Sequence, residues 1–541
     1  MTKKYQFSCG CSFPIIGEPL SKDSLPLMEV DATKLPSCES AWNIFARGDT
    51  KGIFQLESDL GKQWSKKLRP KTVEHLTALG ALIRPGALRS VDDKGVSMTA
   101  HYCRIVNGEE QVSSYHPVVD EALKSTYGSL VFQEQAMELS KVVAGFTLQE
   151  ADILRKAMGK KSSSEMAKCK KLFIDGSKKM NVVSEIQAEE IFGWIEQSQK
   201  YSFNKSHACS YGLLTYNTAY LKSHFPVQFF TSWLFYAKDK ADSLLEISDL
   251  IDEAKKFNVD IELPDITVLN SNFYTNGKTI WFGITDIKGI GMSQFEKIKK
   301  SIQNYPTKIK SWEEFVIKLS DDMPTSSLEK LISVGAFRKY GSNRQKLLAD
   351  LNCWTQLTDK ERSWIKENVE ITNIADMVLK SAKTKKDGGA CCISKRVDIL
   401  TSLANSIINP PSPLVDIPSW VIWIEKQSLG IALTYNATDS CDTSSSNTTC
   451  KEYLDGKSGY MVFGVEIRRC KEVVTKAGKT PGSKMCFLSV SDPTGKIDDV
   501  ICFPNPYKEI GSLLKEGNTV LIQAERDKKS ESLLVKKAFQ I

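Results

Sequence analysis

The chain has 541 residues, 41% of them hydrophobic and 25% charged, with a net charge of +7. That length and apolar content suffice for several packed cores and exclude a disordered tail. No run approaches the roughly 18 consecutive apolar residues of a membrane span, and the opening MTKKYQFSCGCSFPII lacks the apolar core of a secretory signal, so a soluble, cytoplasmic protein without a membrane partner is expected.

Residues 1–90 mix short apolar runs with Gly and Pro and read as α+β. Cys9 and Cys11 form a CxC there, but no second convincing ligand pair accompanies them and metal content is left unknown. The 14 cysteines are scattered along the chain, which favours reduced, packed thiols over a disulfide framework. Residues 91–235 carry helical periodicity. Within them, residues 141–180 hold ten Lys/Arg against four Asp/Glu and so most of the net positive charge. Such a basic concentration suits a polyanionic partner, the alternative being an ordinary solvated helix face.

The basic stretch includes GFTLQEADILRKAMGKK. Thr147 and Glu150 have capping-box spacing, and Leu148, Ala151, Leu154, Ala157 and Met158 recur as a buried stripe. The opposite face then presents Asp152, Arg155, Lys156 and Lys160. Arg155 suits phosphate oxygens through its forked donors, and Lys160 or Lys161 suits them as a point charge. A second cluster, YSFNKSHACSYGLLTYNTAYLKSHFP, interleaves aromatic rings with Lys205, His207, Lys222 and His224. Rings beside cations suit a stacked base with its phosphates held; alternatively Tyr211, Leu214, Tyr220 and Leu221 are helix core and His207 a satisfied histidine.

Residues 236–350 are again mainly helical. Between 351 and 418 the pattern dissolves around KTKKDGGACCISKR and NPPSP, giving an expected linker or poorly packed connector. From 419 to 541, YMVFGVEI, MCFLSVSD, DDVICF and NTVLIQAE are separated by turn residues at the spacing of a small antiparallel barrel. Asp492 in SDPTGKIDD reads as a strand-ending turn residue rather than a metal ligand.

In chain order, GDTKGIFQLES, ALIRPGAL, STYGSLVFQEQ, AGFTLQEADILRKAMGKK and YSFNKSHACSYGLLTYNTAYLKSHFP resemble the α subunit of bacterial DNA polymerase III, the family C replicative polymerase. WFGITDIKGIG and LEKLISVGAF resemble that family's helix-hairpin-helix region, and the stretch from IEKQSLGIALT through FLSVSDPTGKIDDVICFP its OB domain. The resemblance implies a multidomain α+β chain: a palm- or thumb-like remnant over 1–90, mainly helical fingers over 91–235, a helix-hairpin-helix region over 236–350, the connector, and a C-terminal OB-type β-barrel over 419–541. It implies nucleotide binding at Arg155, Lys156, Lys160, Tyr201, Lys205 and His207. DNA contacts are expected from Lys288, Lys471, Lys476, Lys479, Lys484, Arg526, Lys528 and Lys529.

The departure from the family concerns metal ions. Family polymerases hold two Mg2+ with an upstream Asp-x-Asp and a third Asp shortly before Arg-Pro-Gly, so that one ion activates the primer hydroxyl and the other stabilises pyrophosphate. This sequence contains no Asp-x-Asp, and VEHLTALGALIRPGA places His75 at the third Asp position with Glu74 beside it. If that segment is a strand, the two side chains face opposite sides. Two readings follow. The chain is the C-terminal half of a split polymerase, acting on deoxynucleoside triphosphates with primer-template and single-stranded DNA while a separate palm- and PHP-carrying chain supplies most Mg2+ ligands, and inactive alone. Or it is an inactive DNA-binding relic or regulator. Docking to a sliding clamp is left open, because 351–418 holds no good copy of the family's clamp motif.

Overall fold

The computed structural model describes residues 4–6, 12–14, 37–92, 95–160, 162–305, 308–340, 343–475, 481–527 and 532–541. Cys9, Cys11, Lys161, Lys476, Lys479, Lys528 and Lys529 lie outside the described residues. The described residues form two units, one ending at Phe230 and the other beginning at Thr231.

In the first unit, a short antiparallel pair, β1 (Lys4–Gln6) and β2 (Ser12–Pro14), precedes an all-helical run. The α+β expectation for 1–90 thus reduces to helices across 37–92, because the apolar positions there recur at helical spacing and each helix has a local start signal. Helix α1 (Glu39–Arg47) buries Ala41, Trp42, Ile44 and Phe45 and stops at Gly48, whose φ of 74° lets its N–H reach the carbonyls of Ile44 and Phe45. Ser58 caps α2 (Asp59–Leu68) and Thr72 caps α3 (Val73–Leu82), each accepting a backbone N–H from three residues on. Short helices α4 (Pro85–Arg89), α5 (Met98–Val106) and α6 (Pro117–Leu123) follow.

A second core then forms from α7 (Gln133–Ala144), α8 (Leu148–Lys160), α9 (Ser163–Met180) and α10 (Glu185–Ser198), around Leu139, Val143, Leu154, Met158, Phe173, Phe192 and Ile195. The long α11 (Lys205–His224) ties the cores together. Its start is fixed by paired backbone bonds, Phe203 N–H to Val131 O at 3.2 Å and Gln133 N–H to Phe203 O at 2.9 Å. Its middle crosses α3 at Gly212, where a Cβ would lie 2.8 Å from Thr77 Oγ1. Glycine is needed there for close backbone approach. Toward its end, the fully buried Lys222 donates to the carbonyls of Asp49 and Lys51 at 2.7 and 2.8 Å, anchoring the loop before α2.

Helix α12 (Pro226–Ala237) runs across the division, and the second unit continues with α13 (Ser243–Lys255). A small sheet of β3 (Asp260–Glu262), β4 (Tyr274–Thr275) and β5 (Thr279–Trp281) leads to the hairpin before α14 (Met292–Gln303). Residues 351–418, expected to be poorly packed, instead fold into helices over Asp359–Asn368, Ile374–Ser381 and Ser394–Ile408, following Arg344–Thr355. Thr358 and Glu361 form a reciprocal capping box, and Leu400, Ala404 and Ile407 are buried at helical spacing. The Gly-rich cluster inside this segment is a tight turn: a Cβ on Gly389 would lie 2.2 Å from the Lys383 carbonyl oxygen. Gly389 is therefore a packing contact, and Gly388 beside it supplies the left-handed turn at φ 77°.

The barrel is closed, in the order β10-β8-β7-β6-β9, from β6 (Met461–Val474), β7 (Lys484–Asp492), β8 (Gly495–Cys502), β9 (Thr519–Arg526) and β10 (Leu533–Gln540). One parallel pairing, β10 with β8, closes the otherwise antiparallel ring. With the helix Pro504–Ile510 between its third and fourth strands, this is an OB-type topology. Asp492 accepts from Thr494 N–H and Gly495 N–H in the β7–β8 turn, as a turn residue should. The strands begin only at Met461, since Pro418–Leu429 is helical.

Candidate nucleotide and nucleic-acid interface

Helix α8 places its cations on the outer side. Ala151, Leu154, Ala157 and Met158 are buried, whereas Leu148, expected in that stripe, is 70% exposed. It stands in the first turn, where the Thr147–Glu150 capping box turns the chain outward: Glu150 accepts from Thr147 N–H at 2.8 Å and donates its own N–H to Thr147 Oγ1 at 3.3 Å. Arg155 donates Nε and Nη2 to Asp152 Oδ1 at 2.9 and 2.8 Å, and Lys156 meets Oδ2 at 2.8 Å. Hydrogen bonds from Lys156 and Arg155 hold the Asp152 carboxyl below the usual carboxylate range. One carboxylate thus pre-orients two cations. Exposed pairs of this kind add little stability and exchange readily for a phosphate. Lys160 is exposed near the helix end.

At the start of α11, Asn204 accepts His207 N–H at 2.8 Å, while Asn204 Nδ2 and Lys205 N–H each donate to the Glu134 carboxylate at 2.9 Å. The first-turn donors are largely committed, so a phosphate here would meet the side chains of Lys205 and His207 more than the helix terminus. Tyr201 is buried, which pushes its phenol up to about 12, and its carbonyl accepts Arg84 Nη2 at 2.6 Å. Tyr201 is therefore packed into the fold and carries no charge.

A continuous strip of rings runs from this point. The Arg84 guanidinium lies 4.1 Å from the Phe203 ring centre, and Phe203 meets His207 edge-on at 5.4 Å. His207 faces Tyr211 at 4.1 Å, and Tyr211 meets Phe54 at 5.0 Å. Arg84, Phe54 and Tyr211 were not among the expected site residues. The i, i+4 spacing of Phe203, His207 and Tyr211 was a readable signal of a shared face; Arg84 and Phe54 arrive from distant segments with no local signal.

Among the described residues, no hydrogen bond or ion pair joins the Arg155–Lys156–Lys160 group to the Tyr201–Lys205–His207 group. Helix α7 links them. Its first turn supplies Glu134 to α11, and α8 packs against it after a three-residue link.

His75 is not on a strand but in the first turn of α3, capped by Thr72. The apolar run VEHLTALGAL reads equally as a buried strand or a buried helix, and the Thr cap decides it. His75 is 9% exposed. Nδ1 accepts the Lys71 N–H at 3.2 Å, so Nε2 carries the proton toward Tyr127 Oη at 3.0 Å. Burial pulls its pKa below the ordinary imidazole value. Both ring nitrogens are spent, Glu74 points to solvent, and no cluster of three metal-binding side chains exists among the described residues. The residues at this position do not fit a Mg2+ ion.

In the second unit, Lys288 is exposed on the hairpin before α14, beside a cleft of about 470 Å³ that also includes Lys238, Asp242 and Asp286. Burial pushes the Asp286 carboxyl up to about 6. On the barrel, Lys471 is exposed and pairs across strands with Phe487, itself 43% exposed. Lys484 is held by Glu472 at 2.8 Å. Arg526 lies over the Tyr453 ring and donates to the carbonyls of Tyr453 and Lys457, which commits it to the fold. Arg468, Arg469 and Lys496 are engaged by Asp249 and Asp252 of α13.

A helical unit with an exposed cation-and-ring strip, followed by a hairpin region and an OB-type barrel, defines a multidomain α+β protein with nucleic-acid-type modules. The bacterial DNA polymerase III alpha subunit finger domain matches residues 23–181, and the helix-hairpin-helix motif matches residues 258–347. The DNA polymerase III subunit alpha of Thermus aquaticus is 30% identical over 525 residues, covering 93% of this chain and 38% of that protein. That of Chlamydia pneumoniae is 31% identical over 524 residues, covering 96% and 38%. That of Deinococcus radiodurans is 34% identical over 315 residues, covering 57% and 23%. By these matches the chain belongs to the bacterial DNA polymerase III α-subunit family and corresponds to the C-terminal part of its members. It spans little more than a third of the length of the first two relatives. No helix among the described residues is long and apolar enough to cross a membrane.

Proposed function

We propose that the chain provides the fingers and DNA-binding modules of a replicative DNA polymerase. Deoxynucleoside triphosphates are its small ligands, and primer-template and single-stranded DNA its polymeric ones. The observation that carries this reading is the Arg84–Phe203–His207–Tyr211–Phe54 strip beside Lys205. A base stacks on rings, and the phosphates meet Lys205, His207 and the cations of α8. A surface that only attracts duplex DNA needs basic charge but no such strip.

In this reading Mg2+ and the groups that hold it come from a palm-carrying partner, and the chain alone does not catalyse incorporation. Mg2+ would supply charge stabilisation at the transferring phosphoryl group. The residues of this chain hold the triphosphate and orient the base. Titration with a deoxynucleoside triphosphate tests the reading: replacing Lys205 or Arg155 by Ala should weaken binding about tenfold or more. Equal, small losses in nucleotide and duplex binding would reduce the cations to a general DNA-attracting surface.

A second reading, an inactive DNA-binding relic or regulator, is favoured by His75, whose two nitrogens are both satisfied within the fold. Nucleotide binding without any activity in the presence of palm-carrying partners would select it.

A further inference from the structure

Gln55 occupies the third position of a turn closed by Leu56 N–H to Ile53 O at 3.1 Å, with φ of 67°. That left-handed conformation at the third position of a turn is the place of Gly or Asn, because a longer side chain carries a steric penalty there. The turn cannot relax it away. Gly52 N–H is held by Glu57 Oε1 at 3.2 Å and Phe54 N–H by Thr218 Oγ1 at 3.1 Å. Lys222 pins the preceding carbonyls, and Leu56 backbone packs so closely on Gly61 that a Cβ there would lie 2.7 Å away.

The Gln55 side chain is exposed and makes no hydrogen bond among the described residues. Strain kept without compensation inside the fold points to a role outside it. Its neighbour Phe54 is the last ring of the strip. From Lys205 to Tyr211 is six residues of helix, a rise of about 9 Å, which is on the scale of a nucleotide with phosphates at the helix start and its base near Phe54.

We infer that Gln55 donates or accepts a hydrogen bond at the edge of a nucleobase stacked on the His207–Tyr211–Phe54 face. The inference rests on the nucleotide-handling reading above and adds the residue that reads the base. An amide offers two donors and an acceptor in one plane, matching the polar edge of a base that stacks on one of these rings.

The test is calorimetric titration of the full chain with dATP and with 2′-deoxyribose 5′-triphosphate, which has the same phosphates and no base. Gln55→Gly removes the side chain and relieves the backbone, so its unfolding temperature should be unchanged or higher. Its dATP affinity should fall about three- to tenfold, with the base-free ligand unaffected. Tyr211→Ala should weaken dATP selectively as well, through lost stacking. If Gln55→Gly leaves dATP binding intact while Tyr211→Ala weakens it, the role of Gln55 is overturned and the strip stands. If dATP binds no better than the base-free ligand, or neither binds, the strip reading fails and Gln55 with it.

Discussion

Glu134 bears directly on the proposed phosphate binding at α11, because its carboxylate takes the Lys205 N–H and the Asn204 amide. Glu134→Gln keeps an accepting oxygen and removes a negative charge from beside Lys205. Nucleotide affinity measured by titration should rise several-fold at low salt, and the gain should shrink as salt screens the charge; an unchanged affinity would place the phosphates elsewhere. His75 makes a separate prediction about stability. Burial lowers its pKa from 6.5, and burial also lowers that of His224, so the unfolded chain takes up protons first as pH falls. Their contribution is full above about pH 6.5 and is lost as pH drops through the lowered folded values. Thermal unfolding from pH 7.5 to 5 should show this decline, and His75→Leu should flatten it. That variant should also cost about 1–3 kcal/mol for each partner left unsatisfied, Lys71 N–H and Tyr127 Oη; a steeper pH dependence in His75→Leu would contradict the neutral tautomer.

At the scale of elements, two close approaches set the geometry. A Cβ on Gly176 of α9 would lie 2.2 Å from the Ala144 carbonyl oxygen of α7, and one on Gly212 would lie 2.8 Å from Thr77 Oγ1. Gly176→Ala meets backbone that cannot rotate aside, and should cost about 1–3 kcal/mol of stability in denaturant unfolding. Gly212→Ala should cost less and weaken nucleotide binding, since it displaces the helix that carries Lys205, His207 and Tyr211. On the barrel, Phe487→Ala should weaken single-stranded DNA binding by about 1–3 kcal/mol, with the salt slope unchanged. Lys471→Ala should instead reduce the slope by about one unit or less. The opposite pattern would mean that this face of β6 and β7 is not the binding face.

These elements show how far the sequence could be read. The barrel strands were legible because short runs such as MCFLSVSD and DDVICF are separated by turn residues at the spacing of a small barrel, and Cys486, Leu488, Val490, Val500 and Cys502 in them are buried. The cap and stripe of α8 were legible from Thr147, Glu150, Leu154 and Met158, all local in sequence. The helices over 359–408 were missed because Gly388, Gly389 and the charge cluster look like linker composition, while the fit of Gly389 against Lys383 is visible only in three dimensions. Whether His75 stands on a strand or a helix stayed open in the sequence because the largely apolar run after it carries no clear periodicity. Half of the ring strip was missed because Phe54 and Arg84 reach α11 from more than a hundred residues away.

For the whole molecule, the described residues contain ring and cation groups suited to a nucleotide, and no cluster suited to a metal ion. In the proposed reading, binding and phosphoryl transfer separate: the chain holds the nucleotide and a palm-carrying partner is needed for turnover. Ion pairing within the second unit bears on the barrel's charge as well. Asp249 and Asp252 engage Arg468, Arg469 and Lys496, so fewer barrel cations are open to DNA than the sequence offers.

Primer extension with magnesium and all four deoxynucleotides, by the chain alone and by the chain co-expressed with a palm-carrying partner, tests this separation most directly. The expected result is no extension by the chain alone and extension by the pair, reduced at least about tenfold by Arg155→Ala. Extension by the chain alone, free of contaminating polymerase, or extension by the pair that ignores Arg155→Ala, would contradict it.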